Sequence, residues 1–434
     1  MILDALPLAL VAPLLGSLPL ARAAQEPAPT TRGAVLGDLV ADAVSGCAEQ
    51  PLESIRRQPS RSTTDEAVVI PLQDSGIATR AIVPGLLGPA TRVDPPRPSA
   101  IRYMPLFNWV GFTAWSDGED ALVAGNIYGL WRLDASGSEL ASRKLPYAEQ
   151  FVGGSRGFDV CELHAFPDGP GGVRALVGGG EFVQTDLVAL GAEDEVLWSF
   201  VPEDGSALQF APLYSRDGPT GVIVAYGDDP VLLELDLAGK PLSRRVARST
   251  VAQLHTHPDL PGFVLEVGPQ SFLRKLGEGD RHLVRRLETD DVFELSGALF
   301  RGADGRPAVL VHDGGGGDES LVLRLGDDGK ERWRVAVPTG VRDVTVVATR
   351  AGPLPVVVLA DLRLLVLDDA GRLLSESALP LPEGRDRSYA VRSVEAGHFA
   401  DGSTAIAAYG QNDLWILPVD EERLAGAAPA HEDR

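Results

Sequence analysis

The residue types best suited to metal or acid–base chemistry in this 434-residue chain are three histidines. His255 and His257 stand as His-x-His, and on a β-strand that spacing places both imidazoles on one face. A transition metal would find two nitrogen ligands there, but two ligands do not make a site. Aligning the chain on itself supplies a second reading. Leu254-His-Thr-His-Pro-Asp-Leu-Pro-Gly262 matches Leu163-His-Ala-Phe-Pro-Asp-Gly-Pro-Gly171, which pairs His255 with His164 and sets His257 where the other copy has Phe166. Residue 257 then takes an aromatic packing position shared with Phe166, Trp115 and Phe399. His164 and His255 are left as a pair that faces a common channel. His164, His255 and His257 are therefore the candidate metal ligands, and no catalytic residue is assigned.

Other chemistry-bearing patterns are weaker. His312-Asp-Gly-Gly-Gly-Gly-Asp-Glu-Ser320 has the glycines of a phosphate loop but lacks its Lys-Ser/Thr ending, and its acids would repel an anion. It reads as a hairpin connection. The chain has no Gly-x-Ser-x-Gly elbow and no His-Glu-x-x-His, so serine-hydrolase and zincin readings have no support. Asp327-Asp328 and Asp368-Asp369 are paired but lack the further alternating oxygens a calcium loop requires, and Asp before Gly is what a tight turn needs.

The formal charge is −22, from 39 basic and 61 acidic residues. That opposes nucleic-acid binding, which needs a positive footprint. Hydrophobic residues make up 44%, ample for a core, while 48 Gly and 33 Pro suit many short strands joined by turns.

The elements that must position these residues are repeats. A strand ending in Leu, a polar turn with Gly and a second strand recur at Gly129–Pro146, Val231–Leu242, Leu321–Trp333 and Leu364–Leu374. Looser copies surround Leu190 and Leu276. Each has the logic of a β-hairpin, with Gly placed where the backbone takes positive φ. The anchor leucines 133, 190, 235, 276, 325 and 367 are spaced by 57, 45, 41, 49 and 42 residues. Most of these lie near the ~40–50 residues of a four-stranded propeller blade. A second pattern, Asp-Gly before an apolar strand, precedes most anchors, as in Trp115-Ser-Asp-Gly118 and Ala400-Asp-Gly402. The expected fold is an all-β β-propeller of seven four-stranded blades over residues 66–420, followed by a polar tail over 421–434. Eight blades, with 67–108 forming a degenerate one, is the alternative. An early copy at 67–84 has outer-type strands, and an N-terminal strand is expected to complete the last blade and close the ring.

Ahead of the repeats, an apolar run from Ala5 to Ala21 ends in Ala21-Arg22-Ala23, the small-x-small pattern of a signal-peptidase cut, although Asp4 sits where a basic residue belongs. Residues 1–23 are expected to be a signal peptide, with no integral membrane domain after cleavage. Residues 24–65 read as a linker with one short helix from Val35, its stripe formed by Leu36, Leu39, Val40, Ala43 and Val44. Cys47 and Cys161 either pair outside the cytoplasm or are two small buried side chains.

The repeat resembles the PQQ-like, quinoprotein-type β-propeller unit, in which Leu-Asp, a short turn with Gly and an apolar or Trp position follow one another. Gly329-Lys-Glu-Arg-Trp333 carries the resemblance most closely, with Trp198 and Leu242 in comparable places. The Asp-Gly strand is also similar to FG-GAP repeats. The resemblance implies architecture first. As cofactors it implies PQQ or calcium, for which no adjacent cysteines and no individual ligands are found, so no cofactor is expected. The function expected is an exported, extracytoplasmic, non-catalytic propeller that binds a protein or glycan partner. A propeller enzyme with its site in the central funnel is the competing class.

Overall fold

A computed structural model of the chain describes residues 68–69, 83–93 and, with short gaps, 107–427. The signal-peptide segment, the helix expected from Val35 and Cys47 lie outside the described residues.

The architecture is an all-β β-propeller, and its strands follow the chain order. Two short N-terminal strands come first, β1 (Val68–Val69) and β2 (Thr91–Val93). The first antiparallel sheet holds β3–β6 (Trp109–Thr113, Ala121–Asn126, Gly129–Leu133, Glu139–Arg143). The second holds β7–β10 (Asp159–Ala165, Ala175–Gly180, Asp186–Leu190, Val196–Phe200). The third holds β11–β14 (Leu208–Ser215, Gly218–Tyr226, Val231–Asp236, Pro241–Val246). The fourth holds β15–β18 (Thr250–His257, Leu260–Val267, Ser271–Lys275, Leu283–Leu287). Next come β19–β22 (Leu295–Arg301, Pro307–Gly314, Ser320–Gly326, Glu331–Val337), with β1 added in parallel outside β22. The sheet of β23–β26 (Val341–Thr349, Gly352–Leu359, Arg363–Leu367, Leu373–Ala378) follows. The last sheet has β27–β29 (Ser393–His398, Thr404–Tyr409, Leu414–Val419), with β2 as its outer strand.

The core lies between sheets. Middle strands are buried on both faces and therefore read as continuous apolar runs. On β12, Val222 and Val224 pack toward the β7–β10 sheet, while Ile223 and Ala225 pack toward β15–β18. On β24, Val356 and Val358 face the last sheet, and Val357 and Leu359 face the β19–β22 sheet. The last sheet packs in turn on the first, through Ala405, Ala407 and Ile416 against Val110, Leu122 and Ala124.

The hairpin turns follow the expected chemistry. Gly137, Gly239, Gly329 and Gly371 sit at the tips with φ of 78°, 78°, 72° and 80°, and Asp194 takes the same place at 61°. The preceding Asp accepts two backbone bonds, as when Asp236 Oδ1 receives Ala238 N at 2.9 Å and Lys240 N at 2.8 Å. Asp368 does the same for Ala370 and Arg372. These tips also meet the neighbouring sheet. Trp198 on β10 donates Nε1–H to Leu237 O at 2.8 Å, and Trp333 on β22 donates to Asp369 O at 2.9 Å. A Cβ at Gly239 or Gly371 would approach those indoles to 2.8 Å.

Two expectations need correction. The strand that completes the last sheet is not the 67–84 copy but Thr91–Val93, paired antiparallel with Leu414–Ile416. Arg92 fixes it, with Nε and Nη2 on Asp413 Oδ1 at 2.9 and 2.7 Å. Within the 67–84 copy, Val68–Val69 joins β22 instead, and among the described residues 67–108 builds no sheet of its own. At the other end, the expected polar tail begins as a helix, α1 (Glu421–Ala427). Its Leu424 is buried with the core of the last sheet, and Glu421 accepts from Thr404 Oγ1 and Arg350 N.

Two predictions follow from these ties. Asp413, only 4% exposed, is expected to cost about 2 kcal/mol when changed to Ala, because the change removes the carboxylate that takes two charge-assisted hydrogen bonds from the Arg92 guanidinium. Urea unfolding checks this. Trp333→Phe should lose about 1 kcal/mol through the indole hydrogen bond alone, and Trp333→Ala about 3 kcal/mol, read as the difference between two calorimetric scans.

Candidate functional site in the central channel

The innermost strands β3, β7, β11, β15, β19, β23 and β27 begin their sheets, and six of the seven neighbouring pairs lie side by side, while the sheets of β7 and β11 meet through their apolar faces. Their inward side chains line the channel of the propeller. Three of these strands share a local irregularity. The ladder slips between Val160 and Glu162, between Val251 and Gln253, and between Val341 and Asp343. A β-bulge re-aims the side chain it carries, and here a polar residue follows each Val by two.

Two of these polar side chains reach the next sheet. Gln253 Oε1 accepts Gly297 N–H at 3.0 Å, and Asp343 accepts Val394 N–H at 3.0 Å together with the Ser393 hydroxyl. Asp343 also accepts its neighbour's Val344 N–H at 2.8 Å. Burial raises the pKa of Asp343, and these bonds oppose the rise.

The histidines found in the sequence fit around this frame. His255 Nε2 lies 3.0 Å from Gln253 Oε1. Since that oxygen already accepts Gly297 N–H, the imidazole carries its proton on Nε2 and donates it. Burial lowers the His255 pKa to about 4, so the ring is neutral. His164 Nε2 lies 2.8 Å from Glu162 Oε1, and its ring meets Phe210 of the next sheet edge-on at 5.3 Å. The pairs Glu162–His164 and Gln253–His255 thus occupy one repeat position on β7 and β15. The sheet of β11–β14 stands between them.

His257 serves elsewhere. Its Nδ1 accepts Asp259 N–H at 3.0 Å in the turn after β15, and burial lowers its pKa. A further register slip falls between His255 and His257, so strand alternation does not carry both rings to one face. Phe166, at the matching position, is buried between its sheet and the next, and Phe399 meets Phe112 edge-on at 5.4 Å. Among the described residues no group of three or more His, Cys, Asp and Glu side chains is placed to hold a metal ion. Asp328 and Asp369 are engaged otherwise: Asp328 accepts Lys330 N–H, and Asp369 accepts Ala303 N–H and pairs with Arg324 at 2.8 Å. Cys161 is half-buried on β7.

Composition and motif reasoning missed a strongly perturbed group. Glu395 on β27 has its carboxyl pKa pushed up to about 8, first by burial and then by the charges of Asp343 and Glu162. Glu162 is on β7, beyond the whole β3–β6 sheet, so the two carboxyls sense each other across the channel. None of the described residues donates a hydrogen bond to Glu395. Tyr409 on β28 lies beside Ser393, and burial raises its pKa as well. His312 is buried with Nδ1 lacking a partner, opposite Ser296 on β19, and burial lowers its pKa to about 4. Glu162, Gln253 and Asp343 carry a Val-x-polar step at the start of their strands, too short to stand out, and Glu395, Tyr409 and His312 carry no such signal. The arrangement can hold a neutral carboxylic acid beside an ionised one, the state that acid–base chemistry uses.

The comparisons with known proteins give the fold. The chain is similar to BBS1N, crystallised in complex with ARL6DN, at 15% identity and a TM-score of 0.53 over 76% of this chain and 97% of that one. It is similar to the WD40 domain of Pan2 from Neurospora crassa at 12% identity and a TM-score of 0.51, over 74% and 92% of the two chains. BamB from Moraxella catarrhalis matches at 15% identity and a TM-score of 0.42, over 72% and 82%. At these identities the likeness is one of fold alone: this is a β-propeller. No family model matches the chain, and no curated protein matches it.

The raised Glu395 pKa sets a pH dependence. A carboxyl whose folded pKa lies above its unfolded value stabilises the fold least when ionised, so its contribution is lost as pH rises from about 4.5 toward 8. Glu395→Gln is expected to match the wild type in melting temperature near pH 4.5 and exceed it progressively up to pH 9. Paired thermal melts across that range check the sign.

Proposed function

We propose that the chain is an exported, non-catalytic β-propeller of seven blades that binds a protein partner. The observation that carries the binding reading is how its side chains are spent. The channel-side Asp343 and Gln253 join neighbouring sheets, whereas Leu140, Leu242 and Val246 stand 57%, 61% and 67% exposed on outer strands. These exposed apolar side chains recur on the outer strands of separate sheets, a repeated position on the rim that supports binding rather than catalysis. BBS1N, a propeller of similar fold, was crystallised in complex with ARL6DN, which accords with this reading. The blade count rests on the order of packing, in which each sheet meets the next and the last meets the first. Export rests on the apolar run ending at Ala23.

A second reading, an enzyme with its site in the channel, is favoured by Glu395 alone. Its carboxyl pKa is pushed up to about 8 beside Asp343, and it has no hydrogen-bond donor among the described residues. In-cell cross-linking with mass spectrometry separates the two. The binding reading expects one partner to be captured equally by the wild type and by Glu395→Gln, with the cellular phenotype of both alike. A variant that captures the partner but loses the phenotype would place the function in the channel. Export is checked by the intact mass of the chain recovered outside the cytoplasm, which should lack residues 1–23.

A further inference from the structure

The outermost strands repeat one irregularity that the proposed function does not use. In six sheets the ladder between the third and fourth strands slips by one residue. In β17–β18 the residue left unpaired is Val284, and in the other five the slip falls at the anchor leucine. The residues unpaired in those five are Leu140, Leu197, Leu242, Arg332 and Leu374. Each falls seven positions after its anchor, at Leu133, Leu190, Leu235, Leu325 and Leu367.

What covers this position differs around the ring. At β26 the chain's own N-terminal segment covers it: Val83 donates its N–H to Leu374 O at 3.0 Å. Leu374 is half-buried against the cluster that contains Val83 and Leu86. On the sheet before, Val68–Val69 runs along β22, where the equivalent residue is Arg332. On the sheet after, Thr91–Val93 forms the outer strand. Ahead of β3 the chain thus adds backbone to the outer side of two successive sheets and supplies the outer strand of the third.

The next three sheets in the ring carry the same position uncovered. Leu140 on β6 is 57% exposed, Leu197 on β10 41% and Leu242 on β14 61%, with Val201 and Val246 exposed beside the last two strands. A sheet edge pairs readily with an extended chain, and alternate side chains of that chain then meet the edge residues.

We propose that the outer strands β6, β10 and β14 form a docking surface for an extended, apolar segment of a partner polypeptide. Its precedent is this chain's own backbone, which adds Val68–Val69 to β22 and bonds Leu374 on β26 through Val83 N–H. The interaction is the one seen at Leu374: the incoming backbone donates to the carbonyl of the unpaired residue, and an apolar side chain covers its leucine. This rests on the protein-binding reading above and specifies where and how the partner sits.

The test uses the full chain and a phage-displayed random peptide library. The wild type is expected to select peptides with apolar residues at alternate positions, binding at least tenfold more weakly to the combined Leu140→Glu, Leu197→Glu, Leu242→Glu variant. The three side chains are exposed, so circular dichroism and melting temperature should be unchanged. Peptides that bind both proteins equally would overturn this surface while leaving the protein-binding reading in place. Failure to select any peptide would overturn both. A wild-type dimer in sedimentation that the triple variant abolishes would make the occupant a second copy of this chain, which also overturns the proposal.

Discussion

Every sheet in this molecule takes half of its core from a neighbour, so the structure depends on the ring having no ends. An open row of such sheets would leave one apolar face bare at each terminus and two strand edges ready to pair with other chains. The closing contact has two parts. Ala405, Ala407 and Ile416 fill the face of the first sheet, and Thr91–Val93 crosses back to pair with Leu414–Ile416. The Arg92–Asp413 pair fixes the register of that short strand, which has too few residues to specify its own pairing.

Within the closed ring, small departures from regular pairing distribute the roles. Slips on the inner strands aim Gln253 and Asp343 at the backbone of the next sheet, so the polar lining of the channel is also mortar between sheets. That use brings carboxyls together in a low-dielectric place, and Glu395, facing Asp343 and Glu162, is the group that bears the electrostatic cost. Slips on the outer strands release one residue per sheet from the ladder. On β26 the N-terminal segment covers that residue, Leu374, whereas on β6, β10 and β14 a leucine faces solvent.

Much of the architecture was legible because hairpin turns are local. Gly at each tip needs positive φ and Asp caps the turn two and four residues on, so the Leu-Asp-x-x-Gly unit marks itself. The PQQ-like resemblance pointed to Trp198 and Trp333, and both indoles turn out to stitch one sheet to the turn of the next. The closing strand was illegible for the opposite reason. Thr91-Arg-Val93 is three residues between prolines, with no alternation to read, and its partner lies more than 300 positions away. The channel group Glu395 was equally hidden. A single Glu in an apolar strand carries no signal of what it faces until the ring brings Asp343 and Glu162 opposite. At His257 strand alternation alone would set the ring beside His255, and the register slip between them removes that argument, leaving the repeat alignment as the better guide.

The measurement that bears most directly on this account is hydrogen exchange of the full chain, followed by mass spectrometry at single-residue resolution. If Thr91–Val93 closes the ring, the ladder amides of 91–93 and of 414–416 should exchange together, on the timescale of the buried middle strands. Exchange of 91–93 within seconds, with 414–416 still protected, would mean that the ring is held by something other than this strand.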